Sequence, residues 1–191
     1  ALLHYGSQIP LQPGLYDWKV VVRDDNSGSL GSFQTRLRVP DASGKLGASS
    51  LLLTGRIEEV GGAGKKKAKK NALEDVLEVA GSRFYTSSEK IFRAGDSIYL
   101  LYDVYNPDSA ALLTPPAPML ALYHGRSRVD NLPARGYQTV AQPEAARIRY
   151  LAALATDELA AGEYTLVAML PSSSESRPVI YRKFTIVAAD R

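Results

Sequence analysis

Leu159-Ala-Ala-Gly-Glu-Tyr164 repeats the pattern of Leu11-Gln-Pro-Gly-Leu-Tyr16 near the start of the chain. In both stretches a glycine permits a tight turn, and a tyrosine two residues later can bury its ring while its hydroxyl bonds to the backbone. This tyrosine corner is typical of turns that enter a strand of an immunoglobulin-like sandwich. The sequence therefore predicts structural corner roles for Gly14, Tyr16, Gly162 and Tyr164.

Each copy of the pattern continues into a predicted β-hairpin. Alternate residues form the inward face of each first strand; they are Tyr16, Trp18, Val20 and Val22, and then Tyr164, Leu166, Ala168 and Leu170. On the second strands, the same offset matches Phe33 with Tyr181 and Val39 with Val187. Residues 24–28 supply the turn of the first hairpin. We expect the two hairpins to be the last strands of two successive sandwich domains.

The number of strand patterns divides the chain unequally. Residues 1–45 hold the first hairpin and a linker, too few strands for a sandwich, which needs about seven. We expect them to be the C-terminal hairpin of a truncated or partner-completed sandwich. Residues 48–191 carry about seven strand patterns and are predicted to form a complete sandwich. The expected fold class is all-β: an immunoglobulin-like or fibronectin-like β-sandwich with a short helical insertion, preceded by the terminal hairpin of a second similar domain.

The composition is that of an ordinary globular protein, with 45% hydrophobic and 23% charged residues among 191. The absence of cysteine excludes disulfide frameworks, thiolate metal sites and cysteine nucleophiles. No apolar run reaches the ~18 residues that a transmembrane segment needs, and no signal peptide is evident.

Residues 61–81 form an insertion that a sandwich does not need. Glycines precede a run of five lysines, Lys65, Lys66, Lys67, Lys69 and Lys70. Asn71 then predicts a short helix, with Glu74 completing a capping box and Gly81 ending it. The run is either a solvated loop or a contact for an acidic protein or membrane surface. No aromatic residue is interleaved with it, so we expect no nucleic-acid partner.

No catalytic, cofactor or metal site is predicted. Asp25-Asn-Ser-Gly-Ser29 matches a divalent-cation pattern, but a strand rather than a helix follows it, which favours a hairpin turn. Gly61-Gly-Ala-Gly-Lys-Lys66 lacks two positions of a phosphate-binding loop. His4 and His124 have no neighbouring ligand set, and no Gly-x-Ser-x-Gly elbow is present. We therefore expect a protein that is not an enzyme.

Tyrosine is in excess, with 11 Tyr against 4 Phe. Tyrosine is enriched where a surface is buried against a partner and one end of the ring stays wet. Tyr99 and Tyr105 on a predicted strand, together with Trp18, are therefore candidate partner-contacting residues. Sheet-edge and corner positions explain other tyrosines without a partner.

Several motifs together suggest a family. They are Leu11-Gln-Pro-Gly-Leu-Tyr16, Val20-Val-Val-Arg-Asp24, Val39-Pro-Asp41, Leu51-Leu-Leu53 and Ile91-Phe-Arg-Ala-Gly-Asp-Ser-Ile-Tyr99. They resemble the region that follows the von Willebrand factor A-related domain in a group of exported bacterial proteins of unknown function. The resemblance implies a periplasmic, cell-surface or secreted location and a binding or scaffolding role. It supplies no catalytic residues.

The leading hypothesis is a non-enzymatic structural or protein–protein interaction module of an exported bacterial protein, acting in adhesion, assembly or an envelope complex. Exposed strand edges are the natural joining surface for a protein partner or for self-assembly. One alternative is a carbohydrate-binding accessory domain of a larger hydrolase, which needs a surface row of aromatic rings. Another is binding of an acidic partner or membrane surface through the lysine run.

Overall fold

The computed structural model describes residues 9–41, 43–59, 78–79, 81–85, 90–130, 132, 134–172 and 178–189. Within them the chain is mostly β-strand in antiparallel sheets, so the expected all-β class is confirmed at that level. The lysine run and the start of the predicted helix lie outside the described residues. No helix in the described part of the chain has the length and apolar character needed to cross a membrane.

The strands are β1 (Gly14–Arg23), β2 (Leu30–Val39), β3 (Gly47–Ala48), β4 (Leu52–Thr54), β5 (Ile57–Glu59), β6 (Glu78–Val79), β7 (Ser82–Phe84), β8 (Ile91–Arg93), β9 (Ser97–Tyr105), β10 (Met119–His124), β11 (Ser127–Val129), β12 (Ala134–Gln142), β13 (Arg147–Ala155), β14 (Gly162–Met169) and β15 (Val179–Val187). One α-helix in the described residues, α1 (Ser109–Leu113), and a 3₁₀ turn at Pro143–Ala145 complete the elements.

β1 and β2 form a two-stranded sheet of their own, and the first predicted hairpin is confirmed. Its turn is held by Asp24, whose carboxylate accepts from the Ser27 hydroxyl at 2.6 Å and from the Asn26 N–H at 2.9 Å. These hydrogen bonds lower the pKa of the Asp24 carboxyl, and the bond from the Ser27 side chain has the largest effect. The segment is therefore a hairpin turn, which is the structure that the sequence predicted.

Two larger sheets carry most of the remaining strands. The first has the order β11-β10-β14-β15-β8, in which β8 joins β15 in parallel. The second has the order β12-β13-β9-β3, and β4 also pairs with β9. The C-terminal hairpin β14–β15 lies inside the first sheet, with neighbours on both sides.

The apolar faces of these two sheets meet in one core. From the second sheet it takes Ile98, Leu100, Tyr102, Val104, Ile148 and Tyr150; from the first it takes Leu122, Tyr164, Leu166, Phe184 and Ile186. The rings of Tyr102 and Tyr150 stack with centroids 4.9 Å apart. The alternate residues Ile98, Leu100, Tyr102 and Val104 of β9 therefore all face this core.

A small sheet, β5-β7-β6, lies outside these two layers. Phe84 from β7 packs on Leu101 and Leu151, which project from the outer faces of β9 and β13, and the three form a second buried cluster. The insertion is thus anchored to the fold through the strands that flank it. The lysine run lies between β5 and β6 in the sequence, outside the described residues.

The predicted helix over 71–81 is wrong at its C-terminal end. Glu78–Val79 is strand β6, paired antiparallel with β7. Gly81 adopts φ 80° in the tight turn between the two strands, where a side chain would be strained. The glycine therefore turns a hairpin instead of ending a helix.

The prediction of a constant offset is wrong on the second strand of the repeat. Tyr16 pairs with Leu37, whereas Tyr164 pairs with Phe184, one residue earlier than the offset requires. The counterparts of Phe33 and Val39 are therefore Ile180 and Ile186, in place of Tyr181 and Val187. The two connecting loops differ in length and set different registers, and a shift of one residue moves each side chain to the opposite face.

Both tyrosines of the repeat make the same corner hydrogen bond. The Tyr16 hydroxyl donates to the Gln12 carbonyl at 2.8 Å, and that of Tyr164 donates to the Ala160 carbonyl at 2.8 Å. In the second copy a Cβ on Gly162 would approach His124 Nε2 to 2.3 Å. The glycine therefore makes room for His124, whose ring stacks on Tyr164 with centroids 4.6 Å apart.

Matched Tyr→Phe changes test how far each corner contributes to global stability. Tyr164→Phe is expected to lower the free energy of unfolding by about 1 kcal/mol, because a hydrogen bond inside the main fold is lost. Tyr16→Phe is expected to leave the main unfolding transition within about 0.5 kcal/mol and to speed amide exchange in β1 and β2. Urea unfolding and hydrogen exchange measure both effects. Equal losses in the two variants would contradict the separation of the hairpin from the main core.

Candidate functional site

The face of the isolated hairpin that carries the alternating apolar residues is the candidate site. We call it the hairpin face, and it comprises Tyr16, Trp18, Val20, Val22, Phe33 and Leu37. Val20 lies opposite Phe33 and Tyr16 lies opposite Leu37, so apolar side chains meet across the two strands. The sequence pattern predicted the residues of β1 and Phe33 of β2, and the pairing register adds Leu37.

The hairpin face is open to solvent. Val22 is 64% exposed and Phe33 is 63% exposed, while Tyr16 and Trp18 are half-buried. The equivalent face of β14–β15 is covered by the second large sheet, and there Leu166 and Phe184 are 0% and 3% exposed. The same pattern of residues is therefore covered in one copy and uncovered in the other.

The two faces of the hairpin differ in charge. The opposite face carries Asp17, Lys19, Arg36 and Arg38, and the Arg36 Nε lies 3.4 Å from the Asp17 carboxylate. The hairpin face carries no charged residue. A charged face remains solvated, whereas an uncharged apolar face gains free energy when another surface covers it.

Two of the predicted contact residues, Tyr99 and Tyr105, are half-buried within the fold. Tyr99 packs against the second cluster formed by Phe84, Leu101 and Leu151. Burial, and then the Asp103 carboxylate, raises the pKa of the Tyr105 hydroxyl. Their contacts are with the chain itself, so we leave them out of the candidate site. The five lysines lie outside the described residues, and their role stays a prediction.

Asp103 is the centre of an ion network on the outer face of β9. Arg149 donates two hydrogen bonds to its carboxylate, at 2.6 and 2.7 Å, and Arg147 lies at 3.3 Å. The hydrogen bond to Asp103 is the main cause that raises the pKa of Arg149. Both carboxylate oxygens of Asp103 have partners, so the network joins β9 to β13.

A cavity of about 430 Å³ lies near the ends of β10 and β14. Its walls include Met119, Met169 and Pro116 together with the rings of Tyr102 and Tyr150. Asp108, the one acidic residue among the described wall residues, uses its carboxylate to cap α1 through the Ala111 N–H at 2.7 Å. The described wall of the cavity is therefore mainly a surface for apolar packing.

Among the described residues, no three His, Asp or Glu side chains come together in a way that could hold a metal ion. His124 stacks on Tyr164, which in turn stacks on Phe184 at 5.6 Å between centroids. The ring of this histidine is thus a packing element at the end of an aromatic column.

Comparison with known proteins gives no relative. No protein-family model matches this sequence, and no curated protein or solved structure matches it. The candidate site therefore rests on the geometry of the chain.

Sequence reasoning missed three features: α1, the short strand β11 and the full nine-residue length of β12. The bulge where Gly136 adopts φ 142° interrupts the alternation at the start of β12 and hides the strand from a periodicity search. The Asp103 network was also missed, because Arg147 and Arg149 lie more than 40 residues from it in the chain. The available signal was the spacing of Arg147 and Arg149, which places both side chains on the same face of β13.

The buried hydroxyl of Tyr150 generates a prediction for alkaline pH. It has no hydrogen-bond partner among the described residues, and burial raises its pKa from 10.0 to about 12. The folded state therefore holds this proton where the unfolded chain releases it, so the contribution of Tyr150 to stability is complete below pH 10 and falls between about pH 10 and 12. Tyr150→Phe should reduce that fall by about 1.4 kcal/mol per pH unit.

Urea unfolding of the wild type and the variant near pH 8 and about pH 11 checks this expectation. Tyr181→Phe is the control, because Tyr181 is 67% exposed, lies on the other large sheet and should leave the slope with pH nearly unchanged. Identical slopes for the wild type and Tyr150→Phe would contradict the assignment.

Proposed function

We propose that this chain is a non-enzymatic protein–protein interaction module that joins copies of itself through the hairpin face. We place it in an exported bacterial protein, with a structural role in adhesion, assembly or an envelope complex. One observation carries the proposal: an uncharged apolar face, 63% exposed at Phe33, on a two-stranded sheet with a charged opposite face.

We also infer that the two large sheets form an immunoglobulin-like or fibronectin-like sandwich and that β1–β2 is the closing hairpin of a second unit of that kind. The tyrosine corners support this inference, because Tyr16 and Tyr164 each donate to the carbonyl four residues earlier. In the second copy a facing sheet covers the equivalent surface. In the first copy, we expect another chain to cover the equivalent surface.

The size of the hairpin face sets the expected strength of association. Two strands of ten residues each, at about 3.4 Å per residue and about 4.8 Å apart, present roughly 300 Å². A stable interface buries about 800 Å² on each partner. We therefore expect the hairpin face alone to give weak, concentration-dependent association, which strengthens where strand edges also pair.

A second copy is the partner that the charge pattern favours. The hairpin face carries no charge, so like-charge repulsion does not oppose its burial against an identical chain. Two-stranded hairpins are marginal in water, and both β1 and β2 have one edge without a neighbouring strand in the described residues. Pairing between copies satisfies those edges and covers the face together.

The carbohydrate-binding alternative has less support. Phe33 lies on the hairpin face beside the half-buried rings of Tyr16 and Trp18, while the other exposed aromatic residues of the described chain, Tyr137 and Tyr181, lie on two other sheets. The described residues therefore do not present the row of fully exposed rings that a sugar-binding surface requires.

The proposal is tested by placing a charge on the hairpin face. Val20→Lys is expected to abolish concentration-dependent association, because a buried unpaired ammonium costs several kcal/mol. Light scattering coupled to size exclusion, over a range of loading concentrations, should show masses above 20.7 kDa for the wild type and 20.7 kDa for the variant.

Val21→Lys is the matched control. Val21 is the next residue on the same strand, is 59% exposed and projects from the charged face. It should associate as the wild type does. A wild type that stays at 20.7 kDa throughout, or equal association of all three proteins, would refute the proposed self-assembly.

A further inference from the structure

The edges of the two large sheets differ in how well they are protected from adding another strand. Sheets normally shield their edges by making the outermost strand very short or by placing charges and prolines on it. Three of the four edges in the described residues are short: β11 and β8 have three residues each and β3 has two. β12 is the exception, with nine residues.

The usual protection of β12 is confined to its start, where Arg135 carries a charge and a bulge lies between Ala134 and Gly136. Residues 136–142 read Gly-Tyr-Gln-Thr-Val-Ala-Gln, without charge or proline. They pair with β13 on one side only. An uncharged segment of this kind with one free edge is a template for another strand.

Apolar residues beside this edge are also uncovered. Tyr137 lies opposite Ala152 and shares its sheet face with core residues, yet it is 53% exposed. The helix α1 contacts β12 and carries Leu113, which is 84% exposed. A strand added beside β12 extends the apolar inner face of the sheet and gives these side chains a neighbour.

We propose that the free edge of β12 is the acceptor for the β1–β2 hairpin of a second copy. This inference rests on the proposed function and names the surface that the hairpin joins. The lengths match, with nine residues in β12 and ten in each hairpin strand. The hairpin face then continues the inner face of the sheet, as the related face of β14–β15 does in the first sheet.

The consequence is a head-to-tail contact. Donor and acceptor are different surfaces of one chain, so each copy can give its hairpin to one neighbour and accept that of another. Such contacts form open chains or closed rings, whereas a contact between two hairpin faces stops at a dimer.

A mixing experiment with two defective variants tests the proposal. Val20→Lys damages the donor and leaves the β12 edge intact, while Tyr137→Lys places a charge at the acceptor edge and leaves the hairpin intact. Each variant alone is expected to be monomeric. An equimolar mixture is expected to form a complex of twice 20.7 kDa and no larger species, because it has one working donor and one working acceptor.

Tyr123→Lys is the control for the edge variant, because Tyr123 lies on β10 and pairs with β11 on one side and with β14 on the other. It should assemble as the wild type does. Circular dichroism and urea unfolding establish that each variant is folded. If Tyr137→Lys is destabilised, Gln138→Lys, an exposed position on the same edge strand, takes its place.

The outcomes separate the two proposals. Normal assembly of the edge variants together with a monomeric Val20→Lys would overturn the β12 acceptor and leave the hairpin as an interface. A mixture that contains only monomers would likewise overturn the acceptor. Normal assembly of Val20→Lys would refute the proposed function itself.

Discussion

A β-sheet with one apolar face needs a second layer to cover that face. The structure of this chain depends on which of its apolar sheet faces are covered. β14–β15 is covered by the second large sheet, and its inward residues reach 0–3% exposure at Tyr164, Leu166 and Phe184. β1–β2 carries a related pattern without cover. Burial of the apolar face of β14–β15 stabilises the fold. Covering the apolar face of β1–β2 would be favourable for the same reason.

Two features keep an uncovered hairpin folded and specific. The Asp24 turn and the Tyr16 corner fix its two ends through local hydrogen bonds. The charged face stays solvated, and in the proposed function the uncharged face is the one that a second copy covers. A hairpin built in this way is suited to pairing between chains, where register and face are already set.

The sequence predicted those parts of the fold in which alternation is long and uninterrupted. On β14 and directly after it the expected inward residues Tyr164, Leu166, Ala168 and Leu170 are buried, whereas Tyr181 and Val187, expected to face inward on β15, are exposed. The one-residue shift between Val39 and Ile186 could not be predicted, because loop length rather than alternation sets register. The strand at Glu78–Val79 was also hidden, since two residues are too few to show a period.

Only part of the candidate site could be predicted from the sequence. Trp18, Val20 and Val22 mark an apolar strand face, but only the structure shows that no described strand covers it. The edge of β12 required the sheet order, which depends on pairing between distant segments.

Hydrogen exchange measured as a function of protein concentration tests the central claim most directly. If another copy covers the hairpin, amide protection at Val20, Phe33 and the free edge of β12 should increase with concentration, while protection in β9 and β13 stays constant. Protection in β1, β2 and β12 that is the same at every concentration would contradict the account.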